Sequence, residues 1–459
     1  MIPSFTGMET ALSGLQAYQA AIDTTGQNIS NANTPGYSRQ VVNLTESDPL
    51  DIPAMSNVNG TGGQLGTGVD VSSISRIRDQ FLDIQYRAQN ATSGAATQAS
   101  TDLTAAQSAV TNGSVSTQLQ SFWTAWGAVA ANPPGSTGSA AAFQSLVGAA
   151  TSLTQSFNSV SSQLSAVQSG DAQQLASLTG ANGQVQNDVN QIAALNGQIS
   201  QSMAAGQTPN DLLDQRDQAL DDLSGFGALS VTNGSNGMVN VDFSQVPPTT
   251  TPPTAALSPI PLVSGTTATN LTTTPLTNPQ LAQVSGQLGA LYNDSIATGP
   301  IGTLSASLDN VASQLMSSVN APPLPNTSPF FTLSASPPAP ATIAGQIEVT
   351  PNPSATQTQD WSSAASSIAA LQGGAADQAD STFVAQVGGA VQTAQTTSTN
   401  ASSLLSSINS QRESVSGVSL DEEMTNLMNY QQGYQASARV MTTIDTLLNT
   451  LINQTGAGL

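Results

Sequence analysis

The chain has 459 residues and a mass of 46.4 kDa, too long for one ordinary core, which sets an expectation of two to four domains. Only 8% of its residues are charged, against about 25% in ordinary globular proteins, and the formal charge of 7 − 28 = −21 rests on arginine as the sole cation: Arg39, Arg76, Arg78, Arg87, Arg216, Arg412 and Arg439. Such sparse cations argue against nucleic acid or anionic membrane as partners, and the absence of cysteine and histidine removes disulfides, His/Cys metal sites and His-based triads.

From Phe5 the apolar residues follow helical spacing. Met8, Leu15, Ile22 and Ile29 stand one heptad apart, with Phe5 and Leu12 as the companion row, which predicts one long helix over 5–30. The run Asn31-Ala32-Asn33-Thr34-Pro35-Gly36-Tyr37 should end it: Thr34 precedes a proline, and Pro35-Gly36 suits the two central positions of a type II turn. An extended segment over 37–44 and a glycine-rich, short-stranded connector over 46–75 come next.

Residues 76–225 are rich in Ala, Ser, Gln and Leu, break at Asn132-Pro133-Pro134-Gly135, and carry rows such as Val185, Val189, Ile192, Leu195 and Ile199. They predict several long helices side by side. The last has a marked start, with Thr208 as cap, Pro209 in the first turn and Asp211 bonding back to the cap. Its acids Asp214, Asp217, Asp221 and Asp222 read as a solvated face.

Composition then shifts. Of the 25 prolines, 18 fall between Pro247 and Pro353, among Thr-rich stretches and short β-leaning pieces at 238–243 and 343–349. Helical spacing returns over 302–320, and again from about 378 to 415 and from Leu420 to about Gln454. Ser419 and Glu422 form a capping box for the last helix. Its rows are Leu420, Leu427, Tyr434, Met441 and Leu448, and Met424, Gln431, Ala438, Asp445 and Ile452, so Gln431 and Asp445 predict a marginal seam in the free monomer.

Both ends resemble one family. ALSGLQAYQAAIDTTGQNISNANTPGYSRQ is similar to the amino-terminal motif of flagellar rod, hook and hook-associated axial proteins, and NSQRESVSGVSLDEEMTNLMNYQQGYQASARVMTTIDTLLNTLIN to their carboxy-terminal motif. RESVSGVSLDEE, the internal PNDLLDQRDQALDDLSGFGALSV and the pair Phe330-Phe331 fit the hook-associated branch.

The resemblance implies a mainly α chain with a β or irregular insertion: a pair of terminal coiled-coil helices, a long helical bundle domain and a smaller outer domain containing β structure. The expected division is 1–75 with 405–459, then 76–225 with 302–320 and 360–404, then 226–301 with 321–359. It implies a structural subunit at the junction between hook and filament, secreted through the flagellar type III apparatus, with no cofactor, metal or catalytic residue. Partners implied are further copies in a helical tube, hook protein, a second junction protein on the filament side, and an export chaperone on the last helix. The heptad residues Phe5, Met8, Leu12, Leu15, Ile22, Ile29, Leu420, Met424, Leu427, Tyr434, Met441, Leu448 and Ile452 would be the assembly interface, and Asn31, Ala32, Asn33, Pro35, Gly36 and Tyr37 the turn motif.

Three rivals are weaker. A hook or distal rod subunit would carry mostly β domains between its ends. A surface adhesin would use the proline-rich insertion, and a glycan hydrolase would need two carboxylates converging in a cleft. The lack of lysine suits an acidic exterior, where a barely ionic surface resists pH-driven unfolding.

Overall fold

The computed structural model describes residues 6–52, 63–133, 135–244, 259–272, 276–322, 329–334, 342–350 and 361–455. Phe5, Pro134, the side chain of Ile452 and much of the proline-rich insertion lie outside the described residues. The first helix, α1 (Thr6–Ser30), leads through the turn to β1 (Gln40–Glu46), then the hairpin β2 (Leu50–Ile52) and β3 (Gly63–Leu65), and β4 (Val69–Arg76), which returns antiparallel to β1.

Five long helices succeed them: α2 (Gln80–Gly113), α3 (Val115–Ala131), α4 (Ser139–Thr179), α5 (Gln184–Ala204) and α6 (Asn210–Phe226). Asp79 caps α2 by accepting from the amide of Phe81 at 2.8 Å, and Ser114 separates α2 from α3 at φ 54°, a left-handed stop. A four-stranded antiparallel sheet, β5 (Leu229–Asn233), β6 (Val239–Phe243), β7 (Ile260–Ser264) and β8 (Thr267–Ala268), comes next. The chain continues with α7 (Asn278–Leu281), α8 (Gln287–Ser295), α9 (Pro300–Asn320), β9 (Phe331–Leu333), α10 (Ile343–Gln346), β10 (Ile347–Val349), α11 (Trp361–Ala369), α12 (Ala375–Ser416) and α13 (Leu420–Thr455).

Two hydrophobic cores result. One joins α2, α3, α4, α9, α11 and α12 around Phe122, Trp123 and Trp126, and draws in Phe330, Phe331, Ala344 and Ile347 from β9, α10 and β10. Phe122 stands 5.4 Å from Phe331 and Trp126 5.2 Å from Phe330 between ring centroids, distances at which tilted aromatic pairs attract. The second core packs α5 and α6 against the sheet through Val189, Ile192, Leu220, Leu223, Val241 and Phe243. On that side Arg216 donates to the Gly237 carbonyl at 2.6 Å, holding the β5–β6 turn against α6.

These cores divide the chain differently from the sequence expectation. Phe330, Phe331, Ala344 and Ile347 were expected in an outer domain, but they complete the helical core, while α5 and α6 leave the bundle to cover the sheet. The strand expected over 343–349 is half helical. Thr342 accepts from the Gly345 amide at 3.0 Å and Asp309 from the Ala344 amide at 2.8 Å, so a helical turn forms before β10 begins.

Candidate assembly site

The acids of α6 are not a solvated face. Asp214, Asp217 and Asp221 fall at spacings of three and four, on one side of the helix, and that side is covered. Asp214 and Asp221 are buried, and they meet arginines from the connector, from α2 and from α12. Arg76 donates to Asp214 at 2.6 Å and Asp217 at 2.9 Å, and Arg87 to Asp221 at 2.7 Å. Arg78 forks onto Asp83 at 3.0 and 2.7 Å, and Arg412 closes the cluster by donating to Asp221 at 2.5 Å while its guanidinium lies 4.0 Å from the Tyr86 ring centroid.

Four arginines (76, 78, 87, 412) face four aspartates (83, 214, 217, 221), so the cluster is formally neutral. Burial alone would raise Asp217, but Arg78, Arg76, Arg87 and Arg216 more than offset it and hold the carboxyl below the usual carboxylate range. The expected solvated reading failed because it considered α6 alone. The signal was an all-arginine cation set, since arginine is the residue suited to buried, forked ion pairs.

The turn motif docks on the same helix. Tyr37 N donates to the Thr34 carbonyl at 3.2 Å and Gly36 has φ +78°, the type II geometry, with Pro35 and Gly36 central. That φ favours glycine, and a Cβ there would displace the flexible end of the Gln218 side chain, whose Oε1 would stand 2.7 Å away. Asn31, Ala32 and Asn33 form the turn leaving α1, and Ser38 anchors the chain beyond the turn by donating its amide and hydroxyl to Asp214 at 3.1 and 2.7 Å. Asp211 does not bond back to a cap. It accepts from Gln40 at 3.1 Å and Gln27 at 3.4 Å, tying α6 to β1 and α1.

Asn28, 1% exposed, is the pivot of this region and was not anticipated. Its Oδ1 accepts from Tyr37 Oη at 2.8 Å and Gln40 N at 2.9 Å, and its Nδ2 donates to Gln40 O at 2.8 Å and Glu423 Oε2 at 3.0 Å. Burial, with Asp211, Asp214 and Glu423 nearby, pushes the Tyr37 hydroxyl up to about 12, so it remains a donor. On α13, Glu422 reaches Arg39 at 2.8 Å instead of completing the expected capping box with Ser419.

α1 and α13 pair antiparallel through small residues. A Cβ on Gly7 would meet Ile444 at 3.2 Å, one on Gly14 would meet Ser437 at 3.0 Å, and one on Gly433 would come within 2.5 Å of the Tyr18 ring. Seven residues forward on α1 match seven back on α13, and Asn28 with Glu423 ends the series. The seam on α1 therefore runs through Gly7, Gly14, Tyr18 and Asn28, and the buried residues of that helix are Ala11, Gly14, Ala17, Ala21, Thr24, Thr25 and Asn28, not the large apolar row. Gln431 and Asp445 are exposed, so they do not weaken it.

The predicted interface residues consequently flank this seam. Met8, Leu15, Ile22, Ile29, Leu427, Met441 and Leu448 are half-buried, while Leu12, Leu420, Met424 and Tyr434 are exposed on the outside of the pair. Gly433→Val should force Tyr18 out of the seam at a cost of about 1–3 kcal/mol. The expected result is amide exchange around Tyr18 and Ala21 faster by about tenfold or more, with the helical cores unchanged; unaltered exchange would show that the glycine is not needed for close approach.

A family model described as the flagellar hook-associated protein FlgK helical domain matches residues 100–322, one described as flagella basal body rod protein matches 8–37, and one described as the flagellar basal body rod FlgEFG protein C-terminal matches 409–454. The flagellar hook-associated protein 1 of Bacillus subtilis is 29% identical over the full length of both chains. The chain belongs to the flagellar hook-associated protein 1 family.

Hook-associated protein 1 of Salmonella typhimurium is 35% identical over 51% of this chain but 40% of its own, and that of Escherichia coli 31% over 52% and 41%. A solved structure described as the flagellar hook junction protein FlgK from Burkholderia pseudomallei overlaps with a TM-score of 0.43 at 21% identity, covering 55% of this chain and 47% of that one, a likeness too low to decide anything. The two rod-type matches take in α1 with its turn and α13 with the end of α12. In this hook-associated protein 1 family member, the segments shared with rod proteins are thus those joined by Asn28, Glu423 and the small-residue seam. The family is a structural one of the flagellum, and among the described residues no helix is long and apolar enough to cross a membrane.

Proposed function

We infer that this chain is a structural subunit of the joint between flagellar hook and filament, assembled through the outer faces of its paired terminal helices. Family membership supports the location in the flagellum, and the observation that carries the assembly reading is the apolar flank left open once α1 and α13 have paired. Leu420, Met424 and Met428 are each about half exposed, and Leu12 is 45% exposed on the partner helix. Exposed apolar side chains on both helices of the pair make a surface awaiting a neighbour, here further copies of the chain in a tube with hook protein below and a second junction protein above. The arginine–aspartate cluster supports a second part of the reading: it joins β4, α2, α6 and α12, and through Ser38 on Asp214 and Gln27 and Gln40 on Asp211 the chain beside the terminal pair is tied to α6, so subunit contacts made inside the tube would set the position of the domains outside.

Secretion by the flagellar type III route and a chaperone on α13 before export complete the proposal. An enzymatic role has little support. The carboxyls most strongly raised, Asp171 and Asp294, are 4% and 2% exposed, out of reach of a glycan.

The test is electron microscopy of cells lacking the gene, with an assay for flagellin in the medium. Hooks without filaments and flagellin shed outside are expected. Rods without hooks would move the chain to a rod or hook role, and normal filaments would overturn the reading.

A further inference from the structure

Three aspartates meet where α2, α4 and α8 pack together. Asp102 is 5% exposed, Asp171 4% and Asp294 2%. Asp102 is hydrogen-bonded to both of the others. A carboxylate has no donor, so two hydrogen bonds among three carboxyls require two protons and leave one anion. Asp102 is that anion. Gln98 Nε2 donates to both its oxygens at 3.0 Å, and Gln287 Nε2 holds Gln98 in place through its Oε1 at 3.0 Å.

Nothing nearby would tolerate further charge. Asp171 Oδ2 is buried without a hydrogen-bond partner, so ionising this residue would strand a bare charge in the interior. No cation acts on any of the three. The other titratable residues on the packed elements, cations aside, are Asp83 and Tyr86 on α2, Tyr292 on α8, Asp309 on α9, Asp188 on α5, Glu348 on β10, Asp377, Asp380 and Glu413 on α12, and Asp211, Asp214, Asp217, Asp221 and Asp222 on α6, all acidic or neutral. The cations of α2, α6 and α12 belong to the arginine–aspartate cluster and the β5–β6 turn; Arg87 lies fifteen residues back along α2, roughly 22 Å at 1.5 Å per residue.

We propose that Asp102, Asp171 and Asp294 form a proton-operated lock, in which two shared protons clasp α2, α4 and α8 together in mildly acidic surroundings and their loss loosens that junction at alkaline pH. Burial first, then the charge of Asp102, pushes Asp171 up to about 7 and Asp294 up to about 8. Both values are raised above those of the unfolded chain. The stability they contribute is therefore complete below the ordinary aspartate value of about 3.9 and is lost as pH rises through 7 and 8.

The test compares the full chain with the double variant Asp171→Asn, Asp294→Asn, whose amides donate to Asp102 without titrating. The thermal midpoint of the natural chain should rise by about 5 °C between pH 8.5 and pH 5.5. Asp188, pushed up to about 6 by burial, and the raised Asp309 and Asp380 contribute a slope of the same sign, so the decisive quantity is the difference. The double variant should lose more than half of that rise; a variant keeping the full rise overturns the lock. Should the variant not fold, proton release on urea unfolding of the natural chain at pH 6.5 decides, with about two protons expected and none overturning the proposal.

Discussion

Asp221→Ala should lower the free energy of unfolding by about 3–5 kcal/mol, the largest loss expected from a single polar change in this chain. Asp221 is 4% exposed and accepts from Arg87 at 2.7 Å and Arg412 at 2.5 Å. Removing it leaves two largely desolvated guanidinium groups with one fewer counter-charge. The neighbouring residue supplies the control. Asp222 is exposed, accepts from Gln218 at 2.9 Å and meets no arginine of the cluster. Asp222→Ala should be within about 0.5 kcal/mol of neutral, as for surface changes in general. Urea unfolding of both variants, with amide exchange on α12 near Arg412, makes the comparison. Similar losses at the two positions would mean that the cluster does not hold α12 to α6.

The helices were readable in the sequence because long heptad rows and Pro-Gly breaks are local signals. α1, α9, α12 and α13 begin and end within a few residues of where spacing and turn chemistry place them. Faces were harder to read. A heptad pattern marks the large residues, yet where α1 meets α13 the glycines Gly7, Gly14 and Gly433 receive Ile444, Ser437 and the Tyr18 ring, and Asn28 with Glu423 closes the series. The large apolar rows therefore sit beside the seam and not within it. The arginine–aspartate cluster was hidden for a different reason: Arg76, Asp214 and Arg412 are brought together by folding alone, and α6 viewed by itself shows acids with no partner. Capping was over-read at Asp211 and Glu422, where a tertiary partner, Gln40 or Arg39, displaced the local bond.

Those displaced rows lead to the second large effect, on assembly instead of stability. Met424 and Met428 lie one helical turn apart on the outer side of α13, 51% and 54% exposed, and neither faces α1. Met424→Glu with Met428→Glu should therefore leave the isolated chain almost untouched, with circular dichroism and thermal midpoint within about 0.5 kcal/mol of the natural protein. In a tube of subunits the same two side chains would be enclosed, and burying an unpaired carboxylate costs several kcal/mol each. Repeated at every subunit, that penalty should abolish incorporation, giving non-motile cells that shed flagellin. Charge placed instead at Thr425, which is also exposed but polar, should be tolerated. Normal filaments in the double variant would show that this flank remains in water after assembly, and a double variant whose monomer unfolds would show that α13 uses the flank internally.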